Sequence, residues 1–148
     1  MRHTVADGPV AIVGAVLAAA AALAAPARAA APNYILVSGP GLQQPVVLDD
    51  WSENGQLLVE IGNGPRAKRP ALRGLARRPR YDLAEFWAWS ANPRPTDPRE
   101  ATQHGWFYPA RGRKPALFKV MVEGTKVARV ATREALAILA RHGVPTRR

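Results

Sequence analysis

A long apolar run near the start of the chain is the feature that most constrains the fold. It determines which residues remain to form a folded domain. Residues 10–25 are almost entirely apolar and rich in alanine. The small-residue stretch 27–31 follows, as a signal-peptidase site requires. The run is shorter than the roughly 20 residues of a membrane-spanning helix. We therefore predict an export signal over residues 1–29, cleaved near Ala29 or Ala31.

The alternative is an uncleaved N-terminal membrane anchor with the rest of the chain outside. In either case residues 30–148 have the length of one small exported domain, either periplasmic or secreted. The chain contains no cysteine, so this domain depends on an apolar core rather than on disulfides. Thiol nucleophiles, cysteine-ligated zinc and iron–sulfur clusters are excluded for the same reason.

Apolar runs rich in β-branched and aromatic residues, separated by glycine and proline, predict a largely β domain. The predicted strands are Tyr34–Ser38, Val46–Leu48, Tyr81–Trp89, Trp106–Tyr108, Leu117–Val122 and Lys126–Val130. The third strand is apolar on both faces, which is typical of a central strand. The last two form a predicted hairpin around Glu123-Gly124-Thr125.

The segment 50–61 has two interpretations. Asp50 and Glu53 have the spacing of a helix capping box, whereas Asn54-Gly55 is a strong hairpin signal. We favour a short helix that ends at Gly62. Its buried face would consist of Trp51, Leu58 and Ile61.

The C-terminal segment predicts a second helix with clear ends. Thr132 can cap its first turn, Gly143 can end it and Pro145 prevents its continuation. Its predicted apolar face consists of Leu136, Leu139 and Ala140, with Ile138 at the margin. The predicted fold class is α+β, a small and mostly antiparallel sheet with the C-terminal helix packed on it.

Positive charge is the main functional signal in the sequence. The chain has 21 basic and 11 acidic residues, a net charge of +10, which favours polyanionic partners. Arginine outnumbers lysine 17 to 4, and GC-rich coding alone also produces such a bias. Seven basic residues with no acid among them fall in a stretch interpreted as an exposed loop and are the predicted polyanion-binding residues: Arg66, Lys68, Arg69, Arg73, Arg77, Arg78 and Arg80.

Signals for catalysis are weaker. His104 in a predicted loop could act as a general base with Asp82 or Glu85, which defines a small hydrolase as the alternative function. No phosphate-loop, metal-ligand or cofactor motif is present, so no metal and no cofactor are predicted. Three tryptophans could form a stacking platform or belong to the core: Trp87, Trp89 and Trp106.

The stretch Tyr34–Leu42 (YILVSGPGL) together with Trp106–Pro109 (WFYP) resembles small exported bacterial proteins of unassigned function. The resemblance covers two short blocks. It implies export and a bacterial source, and it implies no activity and no site residues.

The sequence therefore predicts a non-enzymatic binding or interaction domain with an anionic partner in the cell envelope. A cell-wall polymer, a membrane surface and nucleic acid all have the required charge.

Overall fold

The computed structural model describes residues 32–87 and 96–148. The strands are β1 (Tyr34–Ser38), β2 (Val46–Leu48), β3 (Tyr81–Phe86), β4 (Gln103–Tyr108), β5 (Leu117–Val122) and β6 (Thr125–Val130). The helices are α1 (Trp51–Asn63), α2 (Arg69–Leu72) and α3 (Arg133–Arg141), with 3-10 turns at Leu75–Arg77 and Pro98–Glu100. The predicted export signal and Trp89 lie outside the described residues.

The six strands form one antiparallel sheet in the order β2-β1-β3-β4-β5-β6. Together with the helices, this arrangement confirms the α+β prediction. β3 pairs with β1 on one side and β4 on the other, so its apolar character on both faces did indicate an interior strand. β4 begins at Gln103, earlier than predicted, and includes His104, which the sequence had placed in a loop.

Both faces of the sheet contain buried side chains. One face carries Leu83 and Phe107 and packs against α1 and α3, and we call it the helix face. The other, called the far face, carries a smaller buried cluster of Tyr34, Leu36, Ala84 and Phe86. The rings of Tyr34 and Phe86 stack there with their centres 4.4 Å apart. The main core therefore lies between the sheet and the two longer helices.

The segment after β2 is a helix, as favoured, and not a hairpin. The Asp50 side chain accepts a hydrogen bond from the backbone amide of Glu53 at 2.9 Å. This is the N-cap bond, one of the two hydrogen bonds of the predicted capping box. Asn54, the residue that suggested a hairpin turn, is buried in α1. Its amide group donates to the carbonyls of Leu48 and Pro32 at 3.1 and 3.2 Å, which joins α1 to the sheet.

Two details of α1 differ from the prediction. The helix continues through Gly62 and ends at Asn63, with Gly64 as its C-cap. The backbone of Gly64 passes so close to β6 that a Cβ there would overlap the carbonyl oxygen of Val130. Its buried residues are Asn54, Leu57 and Ile61, whereas Trp51 is 47% exposed. The helix is rotated so that the Asn54 hydrogen bonds to the sheet are made.

α3 has the predicted ends. The Thr132 hydroxyl accepts from the amide of Ala135 at 3.1 Å, and Gly143 has a left-handed backbone with φ of 77°. The buried residues are Ala135, Ile138 and Leu139. Ile138 is therefore central to the buried face, and Ala140 is exposed. The predicted and observed sets both have the spacing of one helix side, and packing on the sheet selects the face that is shifted by one residue.

Candidate anion-binding surface

The predicted basic loop is an ordered segment attached to the outer edge of the sheet. The amide of Ala67 donates to the carbonyl of Ala128 at 2.9 Å, and the amide of Val130 donates to the carbonyl of Pro65 at 2.8 Å. These bonds extend the sheet beyond β6. The segment then forms α2, with Pro70 in its first turn, where a missing N–H costs nothing.

Arg78 attaches the other end of this segment. It is 6% exposed, and its Nη2 donates to the carbonyls of Tyr108, Pro109 and Pro115. Burial lowers the pKa of this guanidinium. Its Nε and Nη1 have no hydrogen-bond partner among the described residues. Arg78 was predicted as a surface contact, and the structure instead buries it as an anchor.

The other six predicted binding residues are exposed: Arg66, Lys68, Arg69, Arg73, Arg77 and Arg80. Arg80 makes an ion pair with Asp82 at 3.3 Å. The remaining five make no ion pair with another described residue. Their charges are therefore not neutralised by neighbouring carboxylates in the described part of the chain.

Further basic residues adjoin the segment from the β4–β5 connection and from β5. Arg113 and Lys114 lie beside Arg66 and Lys68 around a cavity of about 660 Å³ whose apolar lining includes prolines and Val130. Lys114 also donates to the carbonyl of Arg73 at 2.6 Å. No local sequence pattern connects Arg113 and Lys114 with the segment, although the charges of residues 111–114 are visible in the sequence.

A second cavity of about 600 Å³ lies on the far face. Arg78, Arg80 and Lys119 contribute positive charge to it, and Tyr108 contributes a phenol. Burial raises the pKa of Tyr108 above its ordinary value of 10.0. A phenol is protonated well below its pKa, and its O–H can donate a hydrogen bond. A cavity with several cations and a phenol donor suits an anionic group such as a phosphate or carboxylate.

We define the basic surface as the six exposed cations of the segment together with three further cations that adjoin it, of which Lys114 and Lys119 are partly buried. Its members are Arg66, Lys68, Arg69, Arg73, Arg77, Arg80, Arg113, Lys114 and Lys119.

The residues of the hydrolase alternative are only partly brought together. His104 is exposed and pairs with Ala84, so it lies on the far face, whereas Glu85 pairs with Gln103 on the helix face. Asp82 shares the far face with His104 but makes its ion pair with Arg80. Of the two predicted acidic partners, only Asp82 lies on the same face as His104, so a catalytic pair with His104 would have to use Asp82.

The tryptophan platform is also not assembled from the residues that the structure describes. Trp106 lies on the far face, where the Lys126 Nζ is 5.2 Å from the centre of its ring. Trp87 instead donates from its indole nitrogen to Glu85 at 3.0 Å. In the described ranges there is no group of three or more acidic, histidine or cysteine residues placed to hold a metal ion.

Comparison with protein-family models, curated proteins and solved structures finds no match to this chain. Within residues 32–87 and 96–148, no helix has the length and apolar character needed to cross a membrane.

Proposed function

We propose that this protein is a non-enzymatic binding module that, after export, holds an anionic polymer of the cell envelope on its basic surface. The observation that carries the proposal is the fixed row of exposed cations in residues 66–80. Five of these cations have no acidic partner among the described residues. The segment is tied to the sheet at both ends, through Ala67 and Arg78.

A fixed segment is better suited to binding than a disordered loop. A disordered loop would lose conformational entropy when it bound, whereas this segment is already ordered by the fold. The two adjoining cavities, with volumes of about 660 and 600 Å³, can each receive a group that projects from the polymer.

The test is the binding of linear polyphosphate, measured by fluorescence anisotropy at several salt concentrations. The binding constant should fall steeply with salt, because each phosphate contact releases counterions. The triple variant Arg66→Gln, Lys68→Gln, Arg69→Gln should bind more weakly. The slope of the logarithm of its binding constant against the logarithm of salt concentration is negative. It should become less steep by about 0.7 for each lost contact.

The matched control removes three exposed cations outside the basic surface, by Arg99→Gln, Arg133→Gln and Arg147→Gln. This control changes the net charge by the same amount but leaves the basic surface intact. It should therefore retain most of the affinity. Equal loss in both variants, or binding insensitive to salt, would contradict a defined surface. Tighter binding to anionic lipid vesicles or single-stranded DNA at equal charge concentration would reassign the partner.

A further inference from the structure

Glu85 is a buried carboxyl group that has no cationic partner among the residues that the structure describes. It lies near the end of the central strand β3, on the helix face, and is 3% exposed. Among the described residues its side chain has one hydrogen-bond partner, the indole N–H of Trp87 at 3.0 Å, and no ion pair. Buried carboxyl groups are ordinarily paired or hydrogen-bonded several times, because burial of a charge is costly.

Glu85 lines a cleft between the C-terminal half of α1 and the ends of the central strands. The cleft has a volume of about 260 Å³, just below the range of about 300–1,000 Å³ for small-molecule sites, so it suits a compact ligand. Its lining is mainly apolar and includes Leu58, Ile61, Trp87, Val120 and Val122. Gln103, the partner of Glu85 across the β3–β4 pair, supplies a second polar group.

Among the described residues that line the cleft, the one cation is Arg129, and its backbone lies far from Glu85. Arg129 also lines the cleft, but its Nη1 donates to the carbonyl of Gly64 at 2.8 Å. Cross-strand pairing places Arg129 of β6 level with Tyr81 of β3. Tyr81 is four residues from Glu85 along β3, and β6 lies three strands from β3. Four residues of a strand span about 13 Å, so Arg129 does not neutralise Glu85.

The architecture of β3 does not require a carboxyl group at this position. The backbone carbonyl of Glu85 accepts from Thr102 at 2.9 Å, and that bond forms with any side chain. An apolar residue would avoid the cost of desolvation at this position. The sheet therefore does not account for the carboxyl group of Glu85, whereas a role in the cleft would.

We infer that the cleft is a small-ligand site in which Glu85 binds the ammonium group of a compact, apolar primary amine. A carboxylate accepts charge-assisted hydrogen bonds from an ammonium group, and these are stronger than neutral ones. The apolar walls accommodate the hydrocarbon body. The site uses different residues from the basic surface, so its existence does not depend on the proposed function.

The test compares 2-phenylethylamine with 2-phenylethanol and phenylacetate, three probes of similar shape that differ in charge. Binding is followed by the indole N–H resonance of Trp87 in NMR spectra of the full chain. The amine should shift this resonance and saturate it, with about tenfold or greater preference over the alcohol. Glu85→Gln should abolish that preference, whereas the surface control Glu134→Gln should retain it.

A second variant covers the case in which Glu85→Gln does not fold. Val122 is 40% exposed at the end of β5, so Val122→Phe can fill the cleft without disturbing the core, and it should abolish amine binding. The inference is overturned if the amine and the alcohol bind alike, if phenylacetate binds best, or if no probe moves the Trp87 resonance. It is also overturned if the amine preference survives in Glu85→Gln.

Discussion

At the residue scale, a few polar side chains decide how the helices sit on the sheet. Asn54 joins α1 to the carbonyls of Leu48 and Pro32. Glu53, one position earlier, accepts hydrogen bonds from Arg141 and His142 at the end of α3. Glu53 also lies in the first turn of α1, where the helix dipole favours a negative charge. The two helices are therefore linked by ionic contacts as well as by the apolar core.

The Glu53 contacts predict a pH-dependent stability. A hydrogen bond from Arg141 and, to a smaller extent, one from His142 lower the pKa of Glu53 below its ordinary value of 4.5. A carboxyl whose pKa is lower in the folded state contributes its full stabilisation above its unfolded pKa. That contribution is lost as the pH falls through the folded pKa. Glu53→Gln should reduce the free energy of unfolding at pH 7 by about 0.5–1 kcal/mol.

Urea unfolding of the native chain and the variant from pH 7 to pH 2 measures this effect. The difference between them should shrink as the pH falls below 4.5. Glu134→Gln removes an exposed acid that has no ion pair with another described residue, and it serves as the control. A difference that is the same at pH 7 and pH 2 would show that the Glu53 contacts contribute little.

At the element scale, the β5–β6 hairpin is correctly placed but contains an unfavourable turn residue. Glu123 and Gly124 connect the strands with φ angles of 48° and 77°. Two positive φ angles are typical of a type I′ turn, which matches the twist of a hairpin. Glycine adopts this backbone easily, whereas glutamate does so at a cost. The strands therefore impose the turn on Glu123.

Glu123→Asn should stabilise the protein, because asparagine tolerates a left-handed backbone and Asn-Gly is the preferred type I′ pair. We expect an increase of up to about 1 kcal/mol in the free energy of unfolding. Glu123→Gln removes the same charge without this backbone preference and is the matched control. If both variants change stability equally in urea unfolding, the effect comes from charge and the backbone argument fails.

At the scale of the whole molecule, the sheet acts as a support for the basic surface. Residues 65–67 bond to β6, and Arg78 bonds to carbonyls around the β4–β5 connection. Lys114 makes a further link to Arg73. The like charges of the segment repel one another, and these attachments oppose that repulsion. The spacing of the charges is therefore a property of the whole fold.

Arg78→Met keeps much of the side-chain volume and removes the charged donor. Three carbonyls then lose a partner, so the free energy of unfolding should fall by about 1.5–3 kcal/mol. Hydrogen exchange should accelerate in residues 69–80 much more than in β1 and β3. Arg77→Met, with the same charge change at an exposed neighbour, is the control and should leave exchange unchanged. Uniform acceleration across the sheet would contradict a local anchoring role.

The sequence by itself determined most of the local structure. β-branched and aromatic runs located the strands, and the caps at Asp50 and Thr132 located the starts of the two longer helices. The hairpin at Glu123-Gly124 also followed from its residues. These features are predictable because propensity, capping and turn geometry act between residues only a few positions apart.

Only the tertiary structure decided which side chains are buried and which meet. Arg77 and Arg78 are adjacent and chemically identical, yet one is exposed and the other is an anchor. His104 and Glu85 lie on neighbouring strands but on opposite faces. Burial and partners depend on residues more than thirty positions away in sequence, such as Pro115 for Arg78. Local patterns carry no information about such distant contacts, so the anchor and the amine cleft could be found only in the folded molecule.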